Sequence, residues 1–271
     1  MASSSSSLLG LAASLALLSL FTPSSCFDPT AISYNDSKVA LSWQSGSATW
    51  YGAPTGAGPD DNGGGCGFKN VNLPPFSAMT SCGNHNLFKG GKGCGSCYYI
   101  KCLGHPACSG KPSHITITDL CDGGICLDAP FHFDMSGIAF GSMSYPGRSN
   151  ELRHAGRLAV EFARVPCQYP GRTISFHVEQ GSNPNYFAVL IEYEDGEGDL
   201  NQVEIMESRS RNWVTMRESW GAIYRLDTSR PLNAPFSIRL TDDKNRKLVA
   251  RNVIPANWRP NTVYRSVVQY S

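Results

Sequence analysis

At 271 residues, with 41% hydrophobic and 17% charged residues, the chain is long enough for two domains with real cores. Its 23 basic and 22 acidic residues leave a formal net charge of +1, and no run of like charge stands out. That balance argues against nucleic acid as a partner and leaves shape, hydrogen bonding and aromatic stacking as the means of recognition.

The chain opens on an apolar run, Leu8 to Phe21, followed by the small residues Ser24, Ser25 and Cys26. The run is shorter than the ~20 residues of a membrane span and has the length of a secretory leader. No Lys or Arg precedes it, so the alternative is a buried N-terminal helix. The cysteines favour the leader: all ten lie between Cys26 and Cys167, a density that belongs to an oxidising compartment. Residues 1–26 are therefore expected to be a signal peptide, and the mature chain secreted, extracellular and without a transmembrane segment. Residues 27–47 are polar and aperiodic and are expected to form an extension, with an N-glycosylation sequon at Asn35.

A glycine-rich stretch, Gly52 to Gly67, calls for turns and close backbone approach. Short strand-like runs follow at Cys97–Cys102, His114–Asp119 and Leu158–Val165, and Phe131–Phe140 is expected to hold one short helix. Many short strands with glycine turns suggest a small closed β-barrel over 48–170. Beyond Tyr169-Pro170-Gly171-Arg172 the cysteines stop, and seven apolar-alternating runs recur between Thr173 and Val268. That regular spacing reads as a β-sandwich over 171–271, and so short a connection brings the two domains into contact. The fold class expected is all-β.

The Cys94-Gly95-Ser96-Cys97 motif has three readings: a redox dithiol, half of a zinc site, or structural disulfides. The redox reading lacks its βαβ setting and the zinc reading lacks a second paired ligand set, so disulfides are favoured and no metal is expected. Asp119, at the end of a strand, and Asp134, in His132-Phe133-Asp134, are the two carboxylates that stand out. Two carboxylates flanking a cleft are the minimum for glycoside hydrolysis; the alternative is that each caps a turn. Thr49-Trp50-Tyr51-Gly52 offers adjacent aromatics, either as an open shelf for sugar rings or as core.

Taken together with Gly58–Gly64, Gly93–Tyr98, Thr118-Asp119, Asn183-Pro184-Asn185-Tyr186, Ser219–Ile223 and Ile254–Pro260, these motifs resemble the plant β-expansins across the whole mature sequence. The resemblance implies a six-stranded double-psi barrel similar to family-45 endoglucanases, followed by an immunoglobulin-like carbohydrate-binding domain. It implies disulfides Cys66–Cys94, Cys97–Cys167 and Cys102–Cys108. Cys121–Cys126 is added because the two are close in sequence, which leaves Cys82 as a free thiol. It also implies a monomeric plant cell-wall protein that loosens the wall without a cofactor. The partners implied are xylan or arabinoxylan, with cellulose as the second candidate. Asp134 matches the general acid of the related cellulases, with Asp119 as its neighbour. The base that those enzymes carry after their Thr/Tyr motif has no counterpart in Gly52-Ala53-Pro54. Hydrolysis is therefore not expected, a weak endoglycanase using Asp134 being the alternative. The residues expected to meet polysaccharide are Thr49, Trp50, Tyr51, Asp61, Gly63, Gly64, His132, Asn183, Tyr186, Ser219 and Trp220. Similar grass pollen proteins are strongly basic, and the near-neutral charge of this chain departs from them.

Overall fold

The computed structural model describes residues 41–58 and 64–271. The expected leader, the Asn35 sequon, Asp61 and Gly63 lie outside the described residues.

Six strands close a barrel: β1 (Gln44–Tyr51), β2 (Thr80–Gly83), β3 (Cys97–Cys102), β4 (Ser113–Leu120), β5 (His132–Ser136) and β6 (Leu158–Val165). Their order around the barrel is β1-β5-β2-β4-β3-β6. The pairs β1–β5 and β2–β4 run parallel and the rest antiparallel. Ile100, Ile115, Ile117, Phe133, Met135 and Phe162 fill the interior, where each fully buried side chain contributes about 2 kcal/mol. β1 begins at Gln44, so the barrel reaches back into the stretch expected to be an extension.

Phe131–Phe140 does hold the start of a short helix, but only in its second half. Its first half is β5, paired on both sides, and only at Ser136 does the chain turn into α2 (Gly137–Ser142), where the Ser136 hydroxyl accepts from the Ala139 amide. Two further short helices, α1 (His85–Phe88) and α3 (Ser149–Ala155), join the strands.

Two sheets form the second half. One has the order β10-β9-β13-β14, from β9 (Leu200–Glu207), β10 (Val214–Thr215), β13 (Phe236–Asp242) and β14 (Lys247–Ile254). The other has the order β11-β12-β8-β7-β15, from β7 (Ser175–Val178), β8 (Tyr186–Glu192), β11 (Arg217–Trp220), β12 (Ile223–Asp227) and β15 (Thr262–Arg265). Tyr224 enters the sandwich core and donates to the Leu200 carbonyl. Trp258 packs edge-on against Phe187.

β8 reads as a continuous apolar run because both of its faces are covered. Phe187, Val189 and Ile191 enter the sandwich core, whereas Ala188 and Leu190 face the barrel. They join Phe68, Phe76, Val165, Tyr169 and Ile223 in a third core at the junction of the two lobes. Arg164 of β6 pairs across it with Asp199 at 2.9 Å, and Asp199 is only 4% exposed.

Four disulfides form: Cys66–Cys94, Cys97–Cys167, Cys102–Cys108 and Cys121–Cys126, with Cα separations of 5.4, 5.3, 5.5 and 5.9 Å. Cys97–Cys167 closes the longest loop, 70 residues, which is worth about 4 kcal/mol of unfolded-chain entropy. Cys82 is free and buried.

Candidate functional site

The barrel topology lines up four side chains, Thr49, Cys82, Asp119 and Asp134, whose ends lie 85 positions apart in sequence. Thr49 on β1 is the register partner of Asp134 on β5. Asp134 is the partner of Cys82 on β2, and Cys82 is the partner of Asp119 on β4. With strands ~4.8 Å apart, the two aspartates stand about 10 Å from each other with the thiol between them.

Asp134 is held from the β1 side. The Thr49 hydroxyl donates to its Oδ1 at 2.7 Å, and so Thr49 must accept from His132 Nε2, 2.9 Å away. That fixes the imidazole tautomer: the proton is on Nε2, and Nδ1 accepts from the Ser47 hydroxyl at 2.7 Å. Burial lowers the His132 pKa and keeps the ring neutral, as this relay requires. Burial raises the Asp134 pKa, against the Thr49 hydrogen bond and nearby His132, which lower it. Among the described residues no group donates to the second oxygen, Oδ2.

Asp119 is committed. Its Oδ1 accepts from the Gly65 and Leu120 amides, and its Oδ2 from the Cys82 thiol at 3.6 Å. Gly64 sits so close that a Cβ there would overlap the carboxyl group, at a backbone φ of +46°. Burial and the two carboxylates push the Cys82 thiol up, so it stays a neutral donor. Burial first, then the thiol, push up the Tyr51 phenol beside it.

The structure separates residues that the sequence placed together. Thr49 and Tyr51 face the aspartate row, but alternation along β1 sends Trp50 to the other side. There it packs against the barrel core and its indole donates to the Arg153 carbonyl at 3.0 Å. Trp50 is therefore not half of an open shelf. His132 is fully buried and acts on Asp134 through Thr49, not by touching a sugar. Asn183 accepts the Asn185 and Tyr186 amides and shapes a turn. Gly64 is partly exposed and approaches Asp119 closely.

Trp220 is 48% exposed, next to exposed Ser219, and its ring edge lies over Gly67, which continues the loop that covers Asp119. Tyr186 is half-buried on the same five-stranded sheet, about 16 Å from Trp220 by strand spacing and rise. Trp213, which sequence could not place, stacks on Arg239 at 4.5 Å on the other sheet. Sequence reasoning missed the position of Cys82 and the contribution of Gly65 and Gly67; the glycine run was their only signal. Among the described residues no three His, Cys, Asp or Glu are grouped to hold a metal, and no helix is long and apolar enough to cross a membrane.

Comparisons with known proteins match both halves of the chain. The family model of the expansin C-terminal domain matches residues 174–255, and one described as lytic transglycolase matches 80–162. Expansin-B7 of Oryza sativa subsp. japonica is 61% identical over 238 residues, covering 84% of this chain and 72% of the relative. The chain belongs to the expansin family. Within it this expansin sits with the B group: Expansin-B1 of Zea mays is 55% identical over 229 residues, covering 84% of each. The fold of this expansin matches that of apo Clavibacter michiganensis expansin, with a TM-score of 0.64, 21% identity, and coverage of 85% of this chain and 99% of that one. A variant of that bacterial expansin, solved in complex with cellohexaose, matches at a TM-score of 0.63 and 19% identity.

Proposed function

We propose that this expansin is a secreted, monomeric plant cell-wall protein that loosens the wall by disrupting non-covalent glycan contacts without cutting them. Its partner in this reading is a wall polysaccharide, xylan or arabinoxylan first and cellulose second. Residues 1–26 serve as its leader, 44–170 as the acting barrel, and 171–271 as the binding domain. The relatives named expansin support the role in the wall, and the cellohexaose complex of the bacterial relative supports a glycan ligand.

The observation that carries the non-hydrolytic part is the asymmetry of the two aspartates. A backbone spacing of about 10 Å leaves room for the ~6.5–9.5 Å between the carboxyl groups of an inverting pair, so spacing alone does not argue against hydrolysis. A general base, however, needs a lone pair aimed at water, and three of the four lone-pair sites of Asp119 already meet donors, two amides on Oδ1 and the Cys82 thiol on Oδ2. The Gly52-Ala53-Pro54 turn brings no carboxylate, and its Ala53 carbonyl packs against Gly137. Of the two aspartates, only Asp134 presents a carboxyl oxygen without a donor among the described residues, suited to hydrogen-bonding a sugar hydroxyl and competing for one glycan–glycan contact. Trp220 and Tyr186 would hold the chain by stacking on sugar rings, at about 1 kcal/mol each.

The test is Asp134→Asn, which keeps the Thr49 acceptor but replaces the free carboxyl oxygen with an amide. Extension of acidified wall strips is expected to fall to the level of buffer, with the fold unchanged by circular dichroism. Extension at the unsubstituted rate would remove Asp134 from the mechanism.

A further inference from the structure

Asp119 is held by a strap of barrel backbone, Gly64 to Gly67, and the other side of that strap touches the sandwich. Gly65 faces both ways. Its amide donates to Asp119 Oδ1, while its carbonyl abuts Gly221 in the turn between β11 and β12. The next residue, Cys66, accepts at its carbonyl from the Ala222 amide at 3.0 Å. Trp220 covers Gly67 from the same turn. Gly221 has a φ of +54°, and a Cβ there would overlap the Gly65 carbonyl and the Cys66 backbone. Neither backbone has room to yield, so the turn and the strap fix one another.

We infer that Gly221 is a positioning residue: the sandwich turn Trp220–Ala222 sets the Gly65 amide and, through it, the Asp119 carboxylate in the barrel. Three contacts from one turn to three consecutive residues, Gly65, Cys66 and Gly67, make the strap a shared element of both lobes. The Cys66–Cys94 disulfide anchors the strap inside the barrel, so the sandwich adjusts its approach to Asp119 and does not create it. The same turn carries exposed Trp220, so force on that ring is delivered one residue from the contact that orients Asp119. The functional weight of this coupling rests on the proposed role of the aspartate row in wall loosening; the coupling itself does not.

The experiment is amide NMR of the full chain, reading the Gly65 proton. Donation to a carboxylate gives it a downfield shift and slow exchange. Gly221→Ala is expected to abolish both, while amides of β3 and β6 stay in place. Gly171→Ala introduces the same left-handed strain, at φ +73°, where nothing lies within 4 Å, and is expected to leave the Gly65 signal alone. If Gly221→Ala does not fold, Gly67→Ala approaches the contact from the barrel side. Its Cβ would meet Ile223 Cδ1 at 2.9 Å and the Trp220 ring at 3.1 Å, both side chains able to shift, and the Gly65 signal should move. An unmoved Gly65 signal in the folded variants, or an equal change in Gly171→Ala, overturns the inference. Wall extension on the same samples keeps the two ideas apart. Loss of the Gly65 signature with full extension supports the coupling and shows that loosening does not need the Asp119 orientation.

Discussion

Glu194 is the residue whose replacement should change stability most clearly with pH. It follows β8, lines the crevice between the lobes beside Phe68, Lys92, Leu200 and Tyr224, and is only 4% exposed. Burial pushes its carboxyl up to about 8, with its own amide opposing and Glu192 and Asp199 adding. In the unfolded chain the same group titrates near 4.5. Below that pH both states hold the proton and the group has no effect. Between the two values the folded state alone keeps it, so each pH unit lowers stability by about 1.4 kcal/mol. At pH 7 the accumulated loss is on the order of 3 kcal/mol. Glu194→Gln keeps the shape and removes the titration. Wild type and variant should therefore melt together at pH 4, and the variant should melt higher at pH 7, by roughly 6–12 °C. Differential scanning fluorimetry across pH 4–8 reads this directly. Parallel melting curves for the two proteins over that range would refute the burial argument.

Three further outcomes follow from the same contacts. Arg164→Met leaves the buried Asp199 carboxylate only its longer ion pair with Lys89, at 3.8 Å, and should cost about 3 kcal/mol in chemical unfolding, while adding Asp199→Leu should recover most of it. A thiol reagent should find Cys82 unreactive in the folded mature protein and exactly one free thiol after unfolding without reductant, since the other eight cysteines of the described residues are paired. Trp220→Ala should weaken retention on insoluble polysaccharide about fivefold, the value of one lost stacking contact, and leave the melting temperature near that of wild type.

Much of the fold was legible because its signals are local. β4 and β6 alternate, and the cysteines stop where the barrel ends. β8 was legible as a strand, but its second covered face was not, since only the barrel packed against Ala188 and Leu190 gives that face a reason to be apolar. β2 went unread: Thr80-Ser81-Cys82-Gly83 is four small residues, all buried, with no period to detect. That omission hid the centre of the site, because Cys82 becomes the neighbour of both aspartates only through β2. The motif Thr49-Trp50-Tyr51 named the right stretch and merged two faces that a strand must separate. His132 was legible as part of the motif, but its role was not: a buried ring that orients Thr49 looks the same in sequence as one that meets a ligand. The meeting of Gly65 with Gly221 joins residues 156 positions apart and has no local signal at all.

The central claim is that one free carboxyl oxygen on Asp134, without an available base, acts on glycan contacts and not on glycosidic bonds. The most direct measurement pairs wall extension with reducing-end release, on one preparation of the mature protein and its Asp134→Asn variant. The account predicts extension by the wild type alone, with neither protein releasing reducing ends from xylan or cellulose. Release by the wild type at enzyme-like rates, lost in the variant, would contradict it.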